Sequence, residues 1–246
     1  MLKVYQATDV GCVRTNNEDS LLVCSPAIYG VADGMGGCAG GEVASRLLVD
    51  TVESKLTSYA PEDIGEAELA AAIKAGNEAI LARAQSEPQY RGMGTTATLL
   101  HVVEQPSGEP GPVAEARWAH VGDSRLYLIH DSEMEQLTRD HSYVEELVAQ
   151  GTITEQEAQS HPQRNLLTRA VGVDPDIDVD TGHTELAAGD IMLLATDGLT
   201  KLVSPQAIKN TLTHCVAQGD GAAELIRQAR IAGGTDNITA VVVVLE

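Results

Sequence analysis

The sequence predicts an α+β fold in which helices cover antiparallel sheets. Short β-branched runs and Ala/Glu-rich helical stretches are segregated along the chain instead of alternating one for one. Strands come first, two helices follow, and a long series of strands precedes a second helical region and a last strand. The chain has 246 residues, 43% of them hydrophobic, and no repeat or interdomain linker is visible, so we expect one domain over 1–246.

The strands are predicted from short apolar, β-branched runs bounded by turn residues. In chain order they cover 3–7, 20–24, 28–32, 95–103, 114–121, 126–130, 177–183, 191–195 and 239–245. The helices are predicted from apolar residues at helical spacing, and they cover 42–59, 66–85, 205–213 and 222–232. Between about 140 and 172 the pattern becomes helical and polar, which predicts a flap inserted among the strands.

Charge and composition exclude two classes of protein. The 36 acidic against 16 basic residues give a formal net charge of -20, and the aromatic share is 3% with no Phe. A nucleic-acid binder needs a basic surface, and an anionic membrane would repel this chain. We therefore expect no nucleic-acid partner and no membrane association.

The compartment is predicted from cysteine usage and from the lack of targeting patterns. The four cysteines contain no CxxC spacing, and no apolar run approaches the roughly 18 residues of a membrane helix. The first residues, MLKVYQATDVGC, do not resemble a signal peptide. We expect a cytoplasmic protein with reduced thiols.

A set of aspartates stands apart from those on helix faces because each lies at the end of a predicted strand. Asp33 and Asp197 follow apolar strands and precede glycine, Asp123 follows Gly122, and Asp236 precedes Asn237 and the last strand. Asp19 lies just before another strand. One Asp-Gly pair is usually an ordinary turn, but the repetition at four strand ends favours a shared site.

If these strand ends converge, the carboxylates cannot all stay ionised without cations. The available ligands are oxygen atoms, which select Mg²⁺ or Mn²⁺ over Zn²⁺. Such ions activate water and hold phosphoryl oxygens, so metal-dependent hydrolysis of a phosphate ester is indicated. A structural Ca²⁺ site is the alternative, although an EF-hand pattern is absent from the sequence. Arg14, five residues before Asp19, could supply the guanidinium that a phosphate needs, or could be an ordinary surface arginine.

Seven motifs in order resemble the metal-dependent PP2C-type protein serine/threonine phosphatases (PPM family) in their compact bacterial form. They are RTNNED (14–19), DGMGG (33–37), MGTT (93–96), HVGDSR (120–125), DH (140–141), TDGL (196–199) and GTDN (234–237). The resemblance implies a four-layer α–β–β–α sandwich of two antiparallel sheets flanked by helices. It also implies hydrolysis of phosphoserine and phosphothreonine through attack by a metal-bridging water.

The resemblance further implies a role for individual residues. Asp33 would bridge two metal ions and position the water, and Arg14 would bind the phosphate. Gly34 would bind one of these ions through its carbonyl, and Asp197 and Asp236 would complete the other. Asp123, shared with Asp197, would hold a third ion, as in bacterial relatives, so two or three ions are expected. Asp19 and Glu18 would orient metal-bound waters without binding the ions themselves, and Asn237 would be a further supporting residue around the centre.

Two positions depart from the family pattern. Met35 and Cys38 stand where some relatives carry a histidine, which leaves the general acid open: a water, or a flap residue such as His161. His120 is predicted to be a core or supporting residue, and His141 to anchor the flap. The expected partners are phosphorylated proteins and a kinase that opposes the enzyme, and the chain is expected to be a monomer. The alternatives are a catalytically weak, metal-binding module that recognises phosphoproteins and a phosphatase with an aspartate nucleophile.

Overall fold

Two antiparallel sheets form the centre of the fold. The computed structural model describes residues 1–36, 40–105, 113–215 and 219–246. Strands and helices are numbered in chain order, β1 to β11 and α1 to α7. The predicted α+β class and its four-layer arrangement are confirmed.

The first sheet joins the two ends of the described chain. Its order is β1 (Leu2–Asp9), β11 (Ile238–Leu245), β10 (Ile191–Ala195), β7 (Arg125–His130) and β8 (Glu133–Gln136). All neighbours are antiparallel, and Leu2 lies opposite Leu245. β1 therefore belongs to the sheet through β11.

The second sheet carries the strands predicted from the first half of the chain. Its order is β2 (Asp19–Cys24), β3 (Ile28–Met35), β5 (Ala97–Glu104), β6 (Ala114–Val121) and β9 (Asp180–Leu186), with the short β4 (Gly94–Thr95) paired to β3. These pairs are also antiparallel.

Helices cover the outer face of each sheet. α1 (Gly41–Leu56) and α2 (Glu66–Ser86) pack on the second sheet, and α5 (Asp197–Thr200), α6 (Pro205–Cys215) and α7 (Gly221–Ile231) on the first. None of the helices that the structure describes has the length and apolar character needed to cross a membrane.

The residues of the valine-rich strand β11 contribute alternately to two hydrophobic cores, one under the helices and one between the sheets. Ile238, Ala240 and Val242 face the helices, whereas Val241 and Val243 face the other sheet. Successive side chains of a strand point to opposite faces, and here both faces are covered. A continuous apolar run is therefore the pattern that this position requires.

Three strand predictions need correction. β8 was not predicted because its sequence, EMEQ, lacks apolar alternation and forms an exposed edge. The strand predicted at 95–103 is two strands interrupted at Thr96, whose backbone N–H donates to the carbonyl of Asp33. The strand predicted at 177–183 lies at Asp180–Leu186, because Ile177 packs into the core before pairing with β6 begins.

The segment 140–172 contains the two short helices α3 (Tyr143–Ala149) and α4 (Glu155–Ser160). Ser142 and Thr154 cap their first turns by accepting backbone N–H bonds. The end of the segment runs antiparallel to its beginning, because Ser142 pairs with Leu167. Further along, Val171 pairs with Thr95. Both ends of this segment are thereby attached to the sheet region.

Candidate metal centre

The aspartates predicted from strand ends come together at one end of the sandwich. A cleft of about 560 Å³ lies there, and both sheets contribute to it. Seven of the predicted site residues line it: Arg14, Glu18, Asp33, Gly34, Asp123, Asp197 and Asp236. Residues 165–170 of the segment 140–172 also line this cleft.

The electrostatics of the cleft are those of crowded carboxylates. Burial, followed by the negative charges of Asp19, Asp197, Asp123 and Asp236, raises the pKa of Asp33 well above its ordinary value. Burial and the neighbouring Asp197 charge likewise raise the pKa of Asp123 to about 6. Protons or cations must therefore compensate this cluster at neutral pH.

Asp19 lies behind the cleft, directly opposite Asp33 on the paired strand. Its Oδ2 accepts a hydrogen bond from Oγ1 of Thr196 at 2.8 Å. Its Oδ1 is buried and has no hydrogen-bond partner within the described residues. Burial raises the pKa of Asp19 to about 7. A buried oxygen without a hydrogen-bond donor is costly, so a ligand that supplies a proton or a positive charge there would stabilise the site.

Two basic side chains reach into the acidic cluster. Arg14 Nη2 donates to Asp236 Oδ2 at 2.9 Å. Lys201 Nζ contacts Oδ2 of both Asp123 and Asp197. Across the part of the chain that is described, no three His, Cys, Asp or Glu side chains aim at one common point in metal-binding geometry. Three of the cleft carboxylates are turned toward the protein's own cations instead.

The donor set nevertheless fits hard divalent ions. It consists of carboxylate oxygens from both sheets, and Gly34 lies within the same cleft. The electrostatics agree with this donor set. Asp19 Oδ1 has no partner within the described residues, and the pKa values of Asp33 and Asp123 are raised, so positive charge at the cleft would stabilise the ionised carboxylates.

Lys201 was not predicted as a site residue. It follows Asp197 by four positions, so the short helix α5 brings both side chains to the same face. The spacing in DGLTK was the available signal, but the same spacing is common in exposed ion pairs.

Two glycines of the predicted motifs permit close backbone approach. A Cβ on Gly198 would lie 1.9 Å from the carbonyl oxygen of Asn237, and one on Gly34 would lie 2.1 Å from that of Gly41. Any side chain at either position would push apart the segments that carry the carboxylates. These contacts explain why glycine follows Asp33 and Asp197.

Asn237 fastens the segment that carries Arg14 and Glu18. Its side-chain amide donates to the carbonyls of Val10 and Asn16, and its Oδ1 accepts from the Glu18 N–H at 2.8 Å. The Glu18 carboxyl lines the cleft, and burial with the nearby Glu42 charge raises its pKa. The structure thus brings both predicted supporting residues to the centre.

A hydroxyl network under Asp33 was also missed. Thr96 Oγ1 accepts from the Asp33 N–H at 2.9 Å and lies 2.7 Å from Ser124 Oγ. This network connects β3 to the turn that holds Asp123. Threonine and serine carry too little specificity in a sequence to be singled out for such a role.

The histidines lie outside the cleft lining. His161 belongs to the segment 140–172, where its Nδ1 accepts from the Gln163 N–H and its ring lies 6.2 Å from that of Tyr143. His141 accepts from the Gly122 N–H and contacts Asp180, and it thereby anchors the base of that segment. His120 is fully buried in the core. Met35 lines the cleft, and Cys38 lies outside the described residues.

The sequence and structure are similar to those of known bacterial phosphatases. The family model for protein phosphatase 2C matches residues 14–230. The serine/threonine protein phosphatase PstP of Mycobacterium tuberculosis is 40% identical over 242 residues, which are 98% of this chain and 45% of that protein. Protein phosphatase PhpP of Streptococcus pneumoniae is 36% identical over 248 residues, with 98% and 97% covered.

A solved structure agrees over the whole chain. The catalytic domain of a PstP phosphatase in complex with two manganese ions has a TM-score of 0.86 and 37% identity, covering 100% of this chain and 99% of that one. The fold therefore matches that of a manganese-bound phosphatase catalytic domain. The chain belongs to the protein phosphatase 2C family, as the motifs predicted. It spans less than half the length of the PstP relative.

Proposed function

We propose that the chain hydrolyses phosphoserine and phosphothreonine in proteins, and that Mg²⁺ or Mn²⁺ is required. The observation that carries this proposal is that Asp33, Asp123, Asp197 and Asp236 line one cleft together with Arg14. Supporting it, relatives are named serine/threonine phosphatases, and a PstP structure holds two manganese ions. These names favour an active enzyme over the alternative of a phosphoprotein-recognition module.

The ions would be held by five residues, for a total of two or three ions. Asp33 would bridge two ions, assisted by the carbonyl of Gly34, while Asp197 and Asp236 would supply the other carboxylates. Asp123, together with Asp197, would hold the third ion where one binds. Bound there, the ions polarise phosphoryl oxygens and lower the pKa of water.

The side chains around the ions would bind the phosphate, position the attacking water and hold the ligands in place. Arg14 leaves Asp236 to bind the phosphate through its guanidinium fork, a geometry that matches two phosphate oxygens. Asp33 positions the attacking water. Asp19, Glu18 and Asn237 keep these groups in place, because buried supporting hydrogen bonds fix the orientation of ligands. Met35 has no proton to give, so the proton for the leaving alcohol would come from a water or from His161, which lies outside the cleft lining in this structure.

The whole chain acts as one domain, with residues 140–172 as a flap beside the cleft. Residues 165–170 already form part of the cleft wall, so movement of the flap would change access for the substrate. We infer that the protein is a cytoplasmic monomer whose substrates are a kinase and the targets of that kinase.

A turnover assay tests the proposal. Purified protein is incubated with p-nitrophenyl phosphate and with a phosphothreonine peptide, with Mn²⁺ or with EDTA. Hydrolysis of both substrates with Mn²⁺, and none with EDTA, is expected. Turnover that is indifferent to EDTA would refute the metal mechanism, and tight peptide binding without turnover would favour the recognition module.

A further inference from the structure

Lys201 lies inside the carboxylate cluster and makes three contacts there. Its Nζ is 3.4 Å from Oδ2 of Asp123 and 3.0 Å from Oδ1 of Asn165, and it also contacts Oδ2 of Asp197. An ammonium group has three N–H donors, so these oxygens provide one acceptor for each. The side chain is 35% exposed, so most of it is covered by the cleft.

The position of the ammonium group is set by short local links. The Lys201 backbone N–H donates to the Asp197 carbonyl at 2.9 Å, which closes one helical turn. Gly198 in that turn lies against the carbonyl of Asn237, so the turn is fixed on the β11 side. Asp123 approaches from the turn after β6 in the other sheet. Lys201 therefore connects the two sheets at the cleft.

The charges explain why a cation belongs between Asp123 and Asp197. The Lys201 ammonium group contacts Oδ2 of both Asp123 and Asp197, and a positive group between two carboxylates offsets their repulsion. A divalent ion would serve the same purpose, but it would need the oxygens that Lys201 already contacts. The lysine and such an ion therefore compete for one position.

We propose that Lys201 is a tethered cation that occupies the position between Asp123 and Asp197 and excludes a further divalent ion from that pair. This inference rests on the proposed metal-dependent function, and it selects two ions from the open choice of two or three. Lys201 contacts Asp197 through Oδ2 only, so Oδ1 of Asp197 would stay available to a bound ion.

Asn165 gives the tethered cation a second consequence. It lies in the segment 140–172, so the ammonium group connects that segment to the acidic cluster. A variant without the ammonium group loses this connection as well as the positive charge. Asn165→Ala removes only the connection.

The test counts Mn²⁺ ions bound per chain. Metal-free wild type, Lys201→Met, Lys201→Arg and Asn165→Ala are titrated with Mn²⁺ to millimolar concentration, using calorimetry and the paramagnetic resonance signal of free Mn²⁺. We expect one ion more in Lys201→Met than in wild type, and no change in Lys201→Arg or Asn165→Ala. Adding Asp123→Asn to Lys201→Met should remove the extra ion. Equal counts in wild type and Lys201→Met would overturn the inference.

Two controls keep the result decisive. Circular dichroism verifies folding, and Lys201→Gln replaces Lys201→Met if the latter does not fold, with the same expectation. Wild type that binds no Mn²⁺ and shows no Mn²⁺-dependent turnover would overturn the proposed function itself. Wild type with Mn²⁺-dependent turnover, combined with an unchanged ion count in Lys201→Met, would overturn only the role of Lys201.

Discussion

Asp19 and Asp33 lie directly opposite each other across the antiparallel pair of β2 and β3. Opposed like charges destabilise a strand pair, and both residues lie beside further carboxylates. Burial raises the pKa of Asp19 to about 7, and burial with neighbouring charge raises that of Asp33. The metal-free fold therefore carries an electrostatic cost that bound cations would relieve.

Replacing Asp33 with Asn should increase the free energy of unfolding of the metal-free protein and decrease its phosphatase activity. The amide removes one negative charge from the cluster, so we expect the metal-free variant to gain about 1 kcal/mol, or about 2–4 °C in Tm. Phosphatase activity with Mn²⁺ should fall by more than about 100-fold, since even supporting residues of metal sites cost about 10–100-fold.

The matched control for this experiment is Asp50→Asn, a residue that is half exposed on α1 and paired with Arg46. It should change neither quantity, because exposed pairs contribute about 1 kcal/mol or less. An Asp33→Asn protein that is less stable than wild type in EDTA would contradict the electrostatic explanation.

Thr196 offers a test of the support behind the cluster. Its hydroxyl donates to Asp19 and accepts from the Thr239 N–H at 3.0 Å. Thr196→Val keeps the shape but loses both bonds, so we expect destabilisation of about 1–3 kcal/mol and a loss of about 10–100-fold in activity. Thr196→Ser should retain most of both. Urea denaturation and p-nitrophenyl phosphate turnover measure these effects, and equal behaviour of the two variants would count against the hydroxyl.

Arg14 should matter for substrate binding more than for folding. Its pair with Asp236 is half exposed, so Arg14→Ala should cost about 1 kcal/mol or less. The KM for p-nitrophenyl phosphate should rise about 10–100-fold, from the roughly 1.5–3 kcal/mol of a hydrogen bond to a charged group. Arg46→Ala is the control, because Arg46 is exposed, is paired with Asp50 on α1 and does not line the cleft, so this change should leave KM unchanged. An unchanged KM in Arg14→Ala would remove this residue from the phosphate site.

His120 predicts an acid sensitivity of the fold. Burial, followed by the nearby His141, lowers the pKa of His120 from 6.5 to about 4, while Asp140 and Asp180 act in the opposite direction. Between those pH values the unfolded chain binds a proton that the folded chain does not. The contribution of neutral His120 to the free energy of unfolding is therefore fully present above pH 6.5. It is lost as the pH falls toward 4, by up to about 1.4 kcal/mol per pH unit.

Urea denaturation in EDTA at pH 7.5 and pH 5 measures this loss. The His120→Gln variant keeps a donor for the Arg139 carbonyl, which His120 contacts through Nε2 at 3.2 Å. We expect wild type to lose about 2 kcal/mol more than the variant over this range. Parallel losses in the two proteins would exclude His120 as the source.

Site residues could be predicted from the sequence where their neighbours in the chain already indicate a special position in the fold. Asp33, Asp123 and Asp197 were predictable because a carboxylate at a strand end beside glycine has few purely structural explanations when it recurs. Lys201 and Thr96 were not, since their importance depends on which distant segments they meet. The strand break at Thr96 has the same origin: the residue has β propensity, but its bonds to Asp33 and Ser124 take it out of the regular ladder.

The pairing of β1 with β11 also determines when the protein can assemble during synthesis. β1 leaves the ribosome before the other described elements, yet its partner strand is the last of them. Asp236, just before β11, arrives equally late. Domains fold as units during translation, so nascent chains that stop before this strand lack both a closed first sheet and a complete acidic cluster. We therefore expect the proposed phosphatase activity only from chains that have been translated through β11.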